Sequence, residues 1–417
     1  MNPSRRNAAP NARGRPAPAA RPRATPRTLS GATILQIVPA LRDEPSAHAA
    51  LDITLALLQT GARALVAGEG GPLVGQLRML GGEWIPMTAD TVNPLRLRRN
   101  ANKLESLIAT DRVDIVHAHC AAAAWSALSA TKRMPARLVT SFPDLLPDDS
   151  WGSRTFRRSL LRGHRLIAPS SFVSLGMIER YRISPERITV IPRGIDTETF
   201  SPAAIVPERI AALRRAWGIL PNFRVVLVPG RIAPWNGQLI MADVARLLVG
   251  GGERNIAFVF AGNDRAQPRY TRAVKRRAHA QGVDTLFRFA GHVHEMATAL
   301  AAADVVVAPA MAPPLSGRAV AEAQALGRPV VVHAVGLLPE HLLAPPRMPE
   351  NLRTGYVVRP GNTGELARAI ASVLALDHIA YEAMGARARQ YASFMFSRQS
   401  VAEAIRGVYT SLLARDG

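Results

Sequence analysis

The chain has 417 residues, 48% of them hydrophobic, and a formal net charge of +21 carried almost wholly by arginine. That length exceeds one ordinary core and points to two or three domains, while the charge favours acidic partners, meaning nucleic acid, anionic membrane or phosphorylated substrates, without choosing among them. The single cysteine, Cys120, excludes internal disulfides and cysteine-based metal clusters and fits a reducing, cytoplasmic compartment.

Residues 1–30 hold seven arginines, six prolines and no acidic residue, the composition of a disordered basic tail. No apolar segment within it reads as a secretory signal. No aromatic residues interleave with the arginines, so base stacking has nothing to work with and a specific nucleic-acid arm is not expected. An electrostatic hold on anionic lipid, peripheral at the inner face of a membrane, stays open. The most apolar window, Met296 to Leu315, is interrupted by Asp304 and prolines and reads as a helix end plus a buried strand rather than a span.

Ordered structure is expected from Ala32, where a continuous apolar run to Val38 reads as a parallel-sheet strand, followed by a helix from Ser46 to Leu58. Strands at Arg63–Ala67, Glu83–Pro86, Asp114–His119, Arg137–Ser141 and Arg165–Ala168 follow, with helices at Leu73–Leu80 and Pro94–Thr110 between them. Such βα alternation implies a doubly wound parallel sheet. The run Thr189–Asp196 closes this half, assigned to residues 31–200, and Ser201 to Pro207 has the composition of a linker. The pattern then restarts: strands at Arg224–Pro229, Ile256–Ala261, Phe287–His292 and Ala303–Pro309, a helix from Gln238 to Leu248, and a last strand at Gly355–Val358. This second domain is assigned to residues 201–385, and residues 386–417 to a C-terminal helix packing across both domains, part of an amphipathic stretch from Ile379 to Leu412. The expected fold is therefore α/β, two doubly wound Rossmann-like domains facing a cleft. Ligands in such sheets sit at the carboxyl ends of strands, where loops around Arg231, Gly262, Gly291 and Gly317 would gather.

One stretch stands out. From Pro314 to Val332 a glycine turn leads into a short helix and then a buried strand. It reads as a phosphate cradle, with Gly317 allowing close backbone approach to an anion, a helix N-terminus behind it, and Glu322 as a ribose-binding carboxylate. The same residues also fit an ordinary α/β loop with a surface glutamate.

Four motifs in order carry a family resemblance: Val190 to Asp196 (VIPRGID), Pro229 to Arg231 (PGR), Ala290 to Val293 (AGHV), and Gly317 to Val331 (GRAVAEAQALGRPVV). From about residue 32 to its end, the chain resembles the retaining family 4 glycosyltransferases of the GT-B fold. The resemblance implies transfer of a sugar from a nucleotide-sugar donor, UDP- or GDP-linked, to a glycan or glycolipid acceptor held mainly by the N-terminal domain, with retention and without a metal or other cofactor. It makes Arg231, beside Gly230, the cation facing the departing diphosphate, where fixed positive charge lowers the barrier. Glu322 would accept from the ribose hydroxyls, and Ser316, Gly317, Arg318 and Ala319 would offer main-chain N–H groups to the phosphates. Gly291, His292 and Val293 would line the base pocket through their main chain, the His292 side chain being structural.

The departures fall on the same site. Glu44 and Pro45 stand where the family has a phosphate-binding glycine pair, Asn236 where it has a lysine, Pro314 where it has a sugar-holding glutamate, and Pro143 where it has an active-site histidine. His119 and Asp144 are the nearby acceptor-side groups that would substitute. Two readings follow: an active transferase of cell-envelope glycans, lipopolysaccharide or exopolysaccharide, and an inactive relative that binds nucleotide or glycan or scaffolds a partner.

Overall fold

The computed structural model describes residues 28–42, 44–142, 158–314 and 316–414. Two parallel sheets organise them. The first runs β1 (Thr33–Ala40), β2 (Arg63–Glu69), β3 (Glu83–Pro86), β4 (Ile115–Ala118), β5 (Arg137–Ser141), β6 (Arg165–Ala168) and β7 (Ile188–Val190), in the spatial order β3-β2-β1-β4-β5-β6-β7. Its helices are α1 (Pro45–Leu58), α2 (Leu73–Met79), α3 (Pro94–Thr110), α4 (Ala121–Thr131) and α5 (Ser171–Tyr181). The second sheet comprises β8 (Arg224–Pro229), β9 (Ile256–Ala261), β10 (Phe287–Gly291), β11 (Val305–Ala308), β12 (Val330–His333) and β13 (Gly355–Val358), ordered β10-β9-β8-β11-β12-β13. Around it lie α6 (Pro207–Ala216), α7 (Met241–Gly250), α8 (Pro268–Ala280), α9 (Met296–Ala301), α10 (Arg318–Ala325), α11 (Thr363–Leu374) and α12 (His378–Phe396); α13 (Arg398–Leu413) follows.

The central strands are buried on both faces, as parallel strands covered by helices must be, which is why they read as unbroken apolar runs. Each sheet reverses its strand order once, between β1 and β4 and between β8 and β11, and both switch points open at the carboxyl ends of the strands. Polar caps set the helix starts. Asn93 accepts from the N–H groups of Leu95 and Arg96, and Ser170 from that of Val173.

Most strands fall within a residue or two of the sequence reading, but some helix and domain boundaries differ. The helix expected from Gln238 begins at Met241, because Gln238 is fully buried and spends its side chain on the loop before it, on Arg231 O and Ala233 N. The amphipathic stretch from Ile379 is two helices, broken at Ser397, whose extended backbone and hydroxyl cap start α13 by accepting from Ser400 N. Residues 385 and 386 therefore lie inside the continuous α12, which packs on α10 so closely that Gly385 has backbone of Gly327 at 2.6 Å from where a Cβ would stand.

The chain passes between the halves at one place. Ile195 N donates to Phe396 O at 2.7 Å and Ile195 bridges Ser397, so the outgoing and returning segments are hydrogen-bonded together. Ile195 and Phe200 already belong to the core of the second half, which moves that boundary ahead of residue 200. In the other direction, Val401, Ile405, Val408, Tyr409 and Leu412 of α13 join Ile34, Ile53, Ile115 and Val139 in the core of the first. No helix among the described residues is long and apolar enough to cross a membrane.

Candidate functional site

At the carboxyl edge of the second sheet three loops are fused into a rim. Gly230, at φ +115°, donates its N–H to Ala261 O at 2.9 Å, and a side chain at Gly262 would collide with the Gly230 carbonyl. Arg231 follows, exposed, with its carbonyl accepting from Asn236 Nδ2 at 2.7 Å and Gln238 Nε2 at 3.0 Å. Trp235 O then accepts from Met311 N at 2.8 Å, tying this loop to the one after β11. Asn236, expected only as a lost cation, thus helps Gln238 to shape the Arg231 turn.

The loop after β11 enters α10 at Gly317. Its φ is −91°, which any residue adopts, so conformational freedom is not what selects glycine here. A Cβ at this position would lie 2.5 Å from the ring of His341, so space is the constraint. His341 is buried, stacked on Phe396 at 4.9 Å, and donates Nδ1–H to Leu337 O at 3.0 Å; burial holds its pKa below the ordinary value. The Arg318 N–H is engaged by Ser316 Oγ at 3.1 Å. Glu322 is 4% exposed rather than a surface residue, and Arg318 Nε donates to its Oε1 at 2.5 Å across one helical turn. Burial raises the Glu322 pKa, and Arg318 opposes that rise.

Between the two halves lies a cavity of about 410 Å³. His119 and Ser141 reach it from the first sheet, Ser316, Gly317, Arg318 and His341 from the second half, and Arg398 from α13. His119 and the start of α10 thus share the wall of one cavity. Arg231, Glu322, Ala319, Gly230, Gly262 and Gly291 do not line it. His292 and Val293 line a separate hollow of about 820 Å³, with Trp217 and Arg288. His292 is exposed, edge-on to His294 at 4.7 Å, and is no core histidine.

The departing positions have local explanations. Glu44 caps α1 through its carbonyl, which accepts from Ala47 N and His48 N at 3.1 Å, and Pro45 opens the helix where a missing N–H costs nothing. Pro314 lies against the Gly336 turn, 3.6 Å from where a Cβ there would stand. Pro143 and Asp144 lie outside the described residues.

Sequence reading missed much of the cavity's polar wall. Asp52 on α1 pairs with Arg398 Nε at 3.5 Å, and Arg398 Nη1 reaches Asp196 at 3.3 Å, joining α1, the interdomain crossing and α13. Burial pushes Asp52 up to about 6 despite the nearby Arg398 and His48. Burial works the same way on Asp196, but hydrogen bonds from Thr199, together with Arg398, hold it below the ordinary value. His119 is pushed down to about 4 by burial, and its enclosed Nε2 has no hydrogen-bond partner among the described residues. Among the described residues no group of three or more His, Cys, Asp or Glu side chains is placed to hold a metal ion.

Residues 53–199 match the model of Glycosyltransferase Family 4, and residues 223–376 match that of Glycosyl transferases group 1. A D-inositol 3-phosphate glycosyltransferase from Geodermatophilus obscurus is 30% identical over 253 residues, covering 59% of this chain and 52% of the relative. The matched region thus spans about half the length of such curated relatives. A glycosyltransferase from Rickettsia africae superposes over 92% of this chain and 99% of its own, with TM-score 0.78 and 25% identity. Anabaena Alr3699/HepE superposes over 91% of this chain and 100% of its own, with TM-score 0.71 and 21% identity. With both halves matched in chain order, and two parallel sheets meeting at one cavity, the chain belongs to the glycosyltransferases of the GT-B fold, Family 4 in its N-terminal half and group 1 in its C-terminal half.

Proposed function

We propose that the protein transfers a sugar, with retention, from a nucleoside diphosphate sugar at the carboxyl edge of the second sheet to a hydroxyl of an acceptor in the interdomain cavity. The observation that carries this reading is the position of the α10 N-terminus: Ser316, Gly317 and Arg318 form part of a cavity wall whose other side is His119 and Ser141. Arg231 supplies a fixed cation opposite the departing diphosphate, a contribution of about 3 kcal/mol for one preorganised donor. The Ala319 N–H and the helix dipole face the phosphates, since the Arg318 N–H is already spent. Glu322 keeps its second oxygen for the ribose hydroxyls, and the main chain at Gly291, His292 and Val293 borders the base. UDP is the favoured nucleotide, because Anabaena Alr3699/HepE, of the same fold, was crystallised with UDP. The acceptor we favour is a hydroxyl-rich molecule of the cell envelope, at a cytoplasmic site, with the basic surface supporting peripheral contact with anionic lipid.

A nucleotide-binding relative without turnover is the second reading, favoured by Asn236 and Pro314 standing where the family has a cation and a carboxylate. Incubation with UDP- and GDP-sugars, following nucleotide release with D-inositol 3-phosphate as acceptor, separates the two. Release lost in Arg231→Ala supports transfer. Nucleotide binding with no release under any donor supports the second reading.

A further inference from the structure

The cavity contains a polar group whose hydrogen-bonding direction is set from a distance. Tyr409 on α13 is fully buried, and its hydroxyl lies 2.7 Å from Nδ1 of His117 on β4. His117 Nε2 lies 2.7 Å from Ser141 Oγ at the end of β5. Tyr409 and His117 are sealed in the core of the first half, while Ser141 is half-buried and forms part of the cavity wall.

The proton positions in this chain follow from what each group can do. A buried phenol keeps its proton, since burial raises its pKa, and that proton needs an acceptor. His117 Nδ1 is the partner within reach, so Nδ1 carries the lone pair. Burial also holds His117 neutral, by lowering its pKa well below the ordinary value. A neutral imidazole with a lone pair on Nδ1 has its hydrogen on Nε2, and that hydrogen goes to Ser141 Oγ. The serine oxygen therefore accepts from behind, and its own O–H is unspent among the described residues. The opposite arrangement would leave the Tyr409 proton without an acceptor in a sealed core.

We propose that Ser141 is a dedicated hydrogen-bond donor to the acceptor substrate, held in that role by the buried Tyr409–His117 relay, and that it takes a hydroxyl oxygen of a polyol or sugar. This rests on the reading of the cavity as the acceptor site. It makes Ser141 a specificity residue and Tyr409 and His117 positioning residues. It also connects the returning helix α13 to acceptor recognition: the relay occupies one lone pair of the serine oxygen, so the O–H is not drawn back to His117 and stays with the cavity side.

Two measurements test it. In the protein labelled with ¹⁵N-histidine, long-range proton–nitrogen correlation reads the tautomer of His117, assigned by its change in Tyr409→Phe. The expected result is the Nε2–H form in the unliganded protein; the Nδ1–H form overturns the proposal whatever the protein's activity. In calorimetry with UDP present and D-inositol 3-phosphate as the probe, Ser141→Ala is expected to weaken probe binding about tenfold. Ser141→Thr, which keeps the hydroxyl, is expected to retain it, with UDP affinity unchanged in both variants. Probe affinity equal in wild type and Ser141→Ala, or no probe binding in a wild type that binds UDP, overturns the acceptor role. Failure to bind UDP counts instead against the donor site, and the tautomer then decides the relay on its own.

Discussion

Asp52 shows how a single side chain in the cavity wall records its surroundings. Folding raises its pKa from 3.8 to about 6, burial outweighing the attraction of Arg398 and His48. The folded protein therefore holds this proton more tightly than the unfolded chain, and stability contributed here is present below about pH 4 and lost as pH rises to about 6, staying level above that. A shift of that size corresponds to at most about 3 kcal/mol. Thermal unfolding of Asp52→Asn between pH 4 and 7 is expected to lack this part of the slope, and an unchanged slope would place the titration elsewhere. Gly317 offers a second test at the same scale. Gly317→Ala drives a methyl into the His341 ring and is expected to destabilise the protein by about 1–3 kcal/mol. Adding His341→Ala opens the space, so the double variant is expected to fall short of the summed losses, read as a coupling energy from denaturant unfolding. The sequence marked Gly317 as a constrained position but could not show the steric constraint from His341, because that neighbour lies 24 residues away on another element.

At the scale of elements, a carboxylate–helix contact adds to the links between the halves. Glu340, after β12, accepts from the N–H groups of Ser171 and Phe172 at 2.7 Å, so a carboxylate of the second half caps the N-terminus of α5 in the first. Tyr391 on α12 fixes the carbonyl of the same residue at 2.8 Å. Glu340→Ala is expected to free the N-terminus of α5 and open the cleft, measurable as an increased radius of gyration in solution scattering; an identical scattering curve would mean that other contacts set closure. Contacts of this kind explain where sequence reading stops. Strands such as Ile256–Ala261 were legible because a parallel strand buried on both faces must be a continuous apolar run. The loops around Gly230 and Gly262 were legible because such strands deliver ligands at their carboxyl ends. Glu340, Arg398 and Tyr409 were not, since their partners are 169, 346 and 292 positions away and no local spacing marks a pair formed by tertiary packing. More than one C-terminal helix was expected from Ile379 to Leu412, but the position of the break at Ser397 was not legible, as apolar positions continue through it while the helices turn to different cores.

Across the whole molecule, two sheets with the same switch-point logic face one another, and the chain knots their relation at Ile195 and Ser397. The elements we propose for the donor lie on one side: Arg231 on the rim that Asn236 and Gln238 shape, and Glu322 buried behind the start of α10. Those we propose for the acceptor lie on the other, with Ser141 and His119 at the ends of adjacent strands. The chain's formal net charge of +21 favours a diphosphate over a neutral ligand, an attraction that added salt is expected to weaken. Titration of the purified protein with UDP and with GDP, repeated for Arg231→Ala and Glu322→Ala, tests the donor site most directly. The expected result is one-to-one binding of at least one nucleotide, weakened about tenfold or more by each substitution. Absence of binding by either nucleotide, or binding indifferent to both substitutions, would contradict it.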